Sequence, residues 1–393
     1  MKIDSKTYKL IDRGKLGTFA LVVGVIGLLG SAAGYAMDKE HFYHSYLTAF
    51  FFWMTVALGA LFFILLHHLT RANWSTVLRR LGESMMSTIP FMLILFLPVI
   101  FGIHDLYHWS HEDAVANDII LQKKSPYLNV PFFLIRVAFY FLVWSVVTYF
   151  LNKYSSNQDV AHDDSLYLKM RRVSAPGLML FAFTLTFASI DWLMSLEPHW
   201  FSTIFGVYIF AGTFIAALAF TIVILAYHKK QNLLTDVITV EHRHNLGKLL
   251  FAFTVFWAYI GFSQYLLIWY ANLPEEAFWF LKRWEGSWKV ISLALPIGHF
   301  ALPFVALIPR AAKRSFGWLL FMAIYMLIMH YMDIYWIVMP TYFEHGAQFG
   351  WLEISTLMGV GGIFVWLFWR KYTAGALVPV KDPGLQISIE TVN

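Results

Sequence analysis

The chain has no cysteine among its 393 residues. That excludes disulfides, thiolate-held iron–sulfur clusters and haem attached through Cys-x-x-Cys-His, so any redox centre is non-covalent or sits on another chain. Charge is scarce as well: Asp, Glu, Lys and Arg make up 13% of the residues against 59% hydrophobic ones. A water-facing surface of this size does not tolerate that ratio. No polar stretch is long enough for a separate globular module, which excludes catalysis by a soluble domain. No nucleic-acid partner is expected; the partner that composition demands is membrane lipid.

What the chain does have is apolar runs of the ~20 residues that cross a ~30 Å hydrocarbon layer as a helix. Ten are predicted, over 16–37, 43–67, 77–102, 130–152, 175–196, 203–227, 247–273, 287–308, 317–339 and 350–370. The fold class expected is an all-α polytopic membrane protein. Lys and Arg concentrate on the cytoplasmic side of such proteins. With alternate loops assigned to two sides, 22 of the 29 basic residues fall on the side of the N-terminus and six on the other, Arg136 lying within a span. This predicts both chain ends in the cytoplasm. A signal peptide is the alternative for the first run, but the apolar stretch from Leu16 exceeds the ~7–15 residues of a signal core.

A parallel internal repeat is expected. The fifth run ends Asp191-WLMSLE-Pro198 and the ninth Asp333-IYWIVM-Pro340, each with an acid seven residues before a proline. The third and seventh runs open LGESMM and LGKLLF; the second and sixth open at Ser45 and Ser202 and close at His68 and His228. Corresponding elements are four runs apart, which suggests two four-helix bundles. The expected units are 1–42 (first helix), 43–202 (first bundle), 203–340 (second bundle) and 341–393 (last helix and polar tail).

An ionisable group in hydrocarbon costs at least ~2.5–3.5 kcal/mol on insertion scales, so each is a functional candidate. The list is Arg136, Asp191, His299, His330, Asp333 and Glu353, with Gln264 as a neutral polar neighbour. The ~1.5 Å helical rise puts Asp191 and Asp333 about 10 Å inward from Pro198 and Pro340. His299 lies between Pro296 and Pro303 in LPIGHFALPF, where the prolines weaken the helix and free carbonyls. His299, His330 and Asp333 are expected at depths that suit a proton relay, since neutral imidazole passes a proton between its two nitrogens.

Plainer readings stand beside these. Arg136 and Asp191 are level on adjacent runs and suit a structural ion pair. Glu83 near Arg79 and Arg80 suits an interfacial salt bridge, and His67 and His68 suit snorkelling at a helix end. Glu197 and His199 suit the interface beyond Pro198. His104, His108 and His111 with Asp105 raise zinc without supporting it. His299 with His330 is the one mid-membrane pair open to haem. The 16 Trp and 20 Tyr read mostly as interface markers.

Three stretches carry a family resemblance: SIDWLMSLEPHWFSTIFGVYIFAG (189–212), HHLTRANWSTVLRRLGE (67–83) and HRHNLGKLLFAFTVFWAYIGFSQYLLIWYANLPEE (242–276). They resemble the second, smaller polysulfide-reductase-like membrane subunit of alternative complex III, over nearly the whole chain. The resemblance implies a bacterial inner-membrane complex that oxidises menaquinol. Electrons would be carried by periplasmic iron–sulfur and c-type cytochrome (haem) subunits, onward to a carrier or a terminal cytochrome oxidase. A larger homologous membrane subunit would accompany this one, which would carry no redox centre of its own. Asp191 and Trp192 match the pattern of that homologue, whereas Glu-Pro-His-Trp stands here in place of its Pro-Gly-Trp-His. A quinol-binding histidine therefore does not carry over. The expected function is proton conduction, with a quinone pocket near the periplasmic side as an added expectation, through Asp191, Asp333, His299, His330, Arg136, Glu197 and His199. A secondary transporter and a chemically silent scaffold are the alternatives.

Overall fold

A computed structural model describes residues 1–393 apart from 2, 5, 6, 161–163, 392 and 393. Lys2 and Lys6, counted above among the basic residues of one side, lie outside the described set. Among the described residues every regular element is helical, and β structure is limited to two isolated bridges. Ten helices among the described residues are long and apolar enough to cross a membrane: α1 (Leu16–Met37), α2 (Lys39–Thr70), α3 (Asn73–Phe101), α4 (Val130–Gln158), α5 (Ser165–Leu196), α6 (Phe205–Lys230), α7 (Val240–Ala271), α8 (Trp288–Leu307), α9 (Phe316–Thr341) and α10 (Trp351–Tyr372). The chain is a multi-pass membrane protein.

Helices α4, α5 and α7 run several residues past the apolar stretches on the side of the chain ends. Hydropathy marks where lipid stops, whereas the backbone ladder continues through polar turns such as Asn152–Gln158. A helix end in the headgroup region satisfies its own backbone groups by extending.

Helices α2, α6 and α9 are mostly enclosed, and α1, α7 and α8 mostly face outward. α2 neighbours α3 and α5, and α4 closes a ring between them; α6 neighbours α7 and α9, and α8 closes a second ring. The rings meet along α2 and α6. Gly59 sets that crossing: a Cβ there would lie 2.7 Å from the Ala217 Cβ. α1 packs on α10 through small residues, a Cβ at Gly24 lying 2.8 Å from the Ile363 nitrogen. Close backbone approach of this kind replaces the hydrophobic effect as the adhesive between helices in lipid.

The polar tail is more ordered than its composition suggests. Leu377, Val378 and Ser388 are buried, and Asp382 pairs with Arg79 at 2.5 Å. Glu83 lies in the same network, with Arg79 at 3.3 Å and Arg80 at 2.7 Å, while Arg80 reaches Asp159 at 2.5 Å. The expected interfacial salt bridge is thus a buried one shared with the tail. His67 and His68 do not snorkel. His68 is buried with Nε2 unpartnered, and His67 bonds the Phe63 carbonyl at 2.6 Å.

Candidate functional site

The site is built where α9 crosses α6 and α7. α9 carries His330 and Asp333 three residues apart, one turn on a shared face. Asp333 is buried. It accepts a hydrogen bond from the Tyr208 hydroxyl on α6 and another from the Trp257 indole N–H on α7, at 3.0 Å. Among the described residues no Lys, Arg or His pairs with it. The Trp257 ring also lies 4.0 Å from that of His299 on α8, centroid to centroid. One tryptophan therefore joins acid and imidazole.

His299 is completely enclosed, and neither ring nitrogen has a hydrogen-bond partner. The helix around it, Leu295–Ala301, is π-helical. That is the local form taken by the weakening expected from Pro296 and Pro303. A π turn widens the helix by one residue and frees part of its carbonyl ladder.

His330 lies 6.5 Å from His299, ring to ring, too far for a direct hydrogen bond. Its Nε2 is 3.0 Å from the Thr55 hydroxyl of α2. That hydroxyl is also 2.6 Å from the Phe52 carbonyl. A hydroxyl has one proton; with it on the carbonyl, His330 carries its hydrogen on Nε2, and Nδ1, which has no partner, is a bare acceptor. The ring fits because residue 212 is glycine: a Cβ there would lie 2.8 Å from Nδ1. The expected relay is corrected accordingly. His299, His330 and Asp333 share one neighbourhood, but no hydrogen bond connects any two of them.

Asp191 occupies a different setting. Arg136 on α4 grips both its oxygens, Nε at 2.7 Å and an Nη at 3.0 Å, and the Tyr140 hydroxyl adds a third bond at 2.6 Å. The other Nη bonds the Tyr127 carbonyl at 2.8 Å, and the guanidinium stacks over Tyr127 and Phe132. The structural ion pair is present in full.

Glu197 and His199 part company just beyond the C-terminal end of α5. Glu197 pairs with Arg283 at 3.0 Å and Lys282 at 3.4 Å. Arg283 is buried, stacks 3.5 Å from the Trp279 centroid and caps the Trp336 and Ile337 carbonyls of α9 at 3.0 and 2.7 Å. Burial pushes its guanidinium below its ordinary pKa, against the pull of Glu197. His199 contacts Asp118 at 2.5 Å, and that bond holds the Asp118 carboxyl below its usual range. Glu197 and His199 line a cleft of about 610 Å³ with His44, Asp105, His108 and Glu344. His104 and His111 turn to Ser110 and to the His104 carbonyl. Among the described residues no group of three or more His, Asp or Glu side chains is arranged to hold a metal ion. Glu353 is buried against His41 at 2.6 Å and Ser45 at 3.0 Å. Gln264 accepts from Ser202 at 3.0 Å.

Tyr208, Trp257, Tyr140, Thr55 and Arg283 escaped sequence reasoning. The aromatics were expected at the interface, and these are buried donors to carboxylates. The mid-run positions of Tyr140 and Trp257, away from either end of an apolar stretch, were the available signal. Arg283 gave none. Comparison of the chain with models of known families gives no match, and comparison with curated proteins gives none either.

Proposed function

We propose that this chain is a proton-handling membrane subunit of a quinol-oxidising respiratory complex, with Asp333 as its proton-exchanging carboxyl and Asp191 as a fixed structural charge. The observation that carries the reading is the difference between the two acids. Asp191 has a bidentate arginine; among the described residues Asp333 has only a phenol and an indole. Among the described residues an ionised Asp333 has no counter-charge, and a protonated one gives up an acceptor bond to a donor already in place, so neither state is locked. Two buried imidazoles with bare nitrogens adjoin it. Short side-chain movements or single waters would complete a path.

The wider assignment rests on the resemblance to alternative complex III. It implies a bacterial inner membrane, and the basic-residue tally supports both chain ends on the cytoplasmic side. It supplies menaquinol as reductant, a larger homologous membrane subunit, and iron–sulfur and c-haem partners that take the electrons while this chain takes protons only. The two rings of neighbouring helices support a duplicated pair of bundles, with Asp191 and Asp333 as corresponding acids that have diverged in partner.

The test is Asp333→Asn in the complex purified gently from native membrane. Turnover or proton release should fall at least tenfold with subunit composition unchanged; full turnover with full proton release overturns the reading. Purification of this chain without haem or iron–sulfur partners overturns the wider assignment. A second reading, a secondary transporter, is favoured by the π-helical break at His299, since broken helices at mid-membrane form solute sites. Solute uptake by the isolated chain in liposomes would select it.

A further inference from the structure

We infer that His41, in the first turn of α2, and Glu353, in the first turn of α10, form an acid–base dyad through which protons pass between this chain and the aqueous phase, an inference that rests on the proton-handling role proposed above. The Glu353 side chain is completely enclosed, whereas that of His41 keeps 20% of its surface open. The pair therefore runs from the interior to the surface.

Three donors surround the carboxylate. Oε1 accepts from the Ser45 hydroxyl at 3.0 Å and lies 2.6 Å from His41 Nε2, and Oε2 accepts from the Gly350 backbone N–H at 2.8 Å. An ionised carboxylate only accepts, so the ring hydrogen sits on Nε2 and Nδ1 is left as the base. Among the described residues Nδ1 has no hydrogen-bond partner, and it lies on the open side of the ring.

The imidazole is held on its other faces too. Its backbone N–H donates to the Asp38 carboxylate at 3.0 Å, Tyr342 stacks on the ring with 5.1 Å between centroids and 10° between planes, and Phe343 meets it edge-on at 5.0 Å. The Tyr342 hydroxyl bonds Asp38 at 2.5 Å, which ties the stack down. An oriented imidazole of this kind takes a proton at Nδ1 and becomes an imidazolium whose charge Glu353 already balances; loss of that proton to water restores the starting state. Among the described residues His199 and His244 also meet acids, but neither Asp118 nor Glu241 is fully enclosed. Tyr342 directly follows α9, and the ~1.5 Å helical rise puts the end of that helix at Thr341 about 12 Å along its axis from Asp333. The dyad thus stands at the mouth of the helix that carries the exchanging acid.

The experiment uses the complex purified gently from native membrane and reconstituted in liposomes, with proton release during turnover followed by a pH-indicating dye. His41→Ala should slow release at least fivefold with subunit composition unchanged, and free imidazole, which fits the space left beside Glu353, should restore at least half of the rate. That rescue should disappear when His41→Ala is combined with Glu353→Gln, because the carboxylate that orients the ring is gone. His41→Gln keeps a donor for Glu353 but exchanges no proton, so it should assemble as the parent does and still release slowly; it is read in place of His41→Ala should the alanine variant fail to assemble. Undiminished release in either variant overturns the inference. A loss in His41→Ala that imidazole does not restore also overturns it, assigning the pair to holding α2 against α10. Asp333→Asn in the same assay keeps the two readings apart: full release there overturns the proton-handling role, whereas slow release there with full release in His41→Ala overturns the dyad alone.

Discussion

Replacing Arg136 by Met probes whether the membrane contains a true buried ion pair. Asp191 is completely enclosed and accepts three bonds, two of them from Arg136 at 2.7 and 3.0 Å and one from Tyr140 at 2.6 Å. Arg136→Met leaves the carboxylate one neutral donor. Breaking a buried pair from one side costs about 3–5 kcal/mol, because the surviving charge is desolvated and uncompensated. Asp191→Asn should cost less, since Arg136 keeps the Tyr127 carbonyl at 2.8 Å and two aromatic faces at 3.9 and 4.4 Å, a cation–π contribution of up to about 2 kcal/mol when desolvated. The double variant should fall well short of the sum, with a coupling of about 2 kcal/mol. Equilibrium unfolding in mixed micelles, titrated with denaturing detergent and followed by tryptophan fluorescence, measures all three. Additivity within about 0.5 kcal/mol, or a loss below about 1 kcal/mol for Arg136→Met, refutes the reasoning. Asp333→Asn, which removes no counter-ion, should change stability by under about 1 kcal/mol in the same assay.

Gly212→Ala should destabilise the chain by about 1–3 kcal/mol, because the new methyl lies 2.7 Å from the His330 Cε1; detergent unfolding checks it, and Gly317→Ala, with open space around it, is the control. Glu197→Gln should cost about 2 kcal/mol by taking the charged acceptor from buried Arg283, read in the same titration. Asp118 has a depressed folded-state pKa owing to His199, so its contribution is present above the unfolded value of about 3.9 and disappears as pH falls through the folded one. The gap in thermal stability between the parent and Asp118→Asn should therefore be seen at neutral pH and close on acidification to pH 3; a gap that widens on acidification contradicts the assignment.

The sites were legible in unequal measure. Asp191 and Asp333 declared themselves as acids in apolar runs, and the level positions of Arg136 and Asp191 foretold their contact, since adjacent antiparallel helices preserve depth. The expected relay through His299 and His330 did not form. Depth is a one-dimensional quantity, and rotation about each helix axis decides which side chains meet. Rotation put Trp257 between His299 and Asp333 and aimed His330 at Thr55. The tail misled for another reason. Its polar composition hid Asp382 and Ser388, whose partners Arg79 and His242 stand on helices far away in sequence.

Sequence alone determined that this chain is a membrane protein, that ten runs are long and apolar enough to cross as helices, and which ionisable groups stand within them. Hydrocarbon accepts only backbone that bonds to itself, so apolar length translates directly into helices. Tertiary structure alone decided which of those groups meet a charged partner and which meet neutral donors. The worth of a buried charge depends on the few donors within about 3 Å, and those arrive from helices that no local pattern in the sequence connects. Asp191 received an arginine, and Asp333 a tyrosine and a tryptophan.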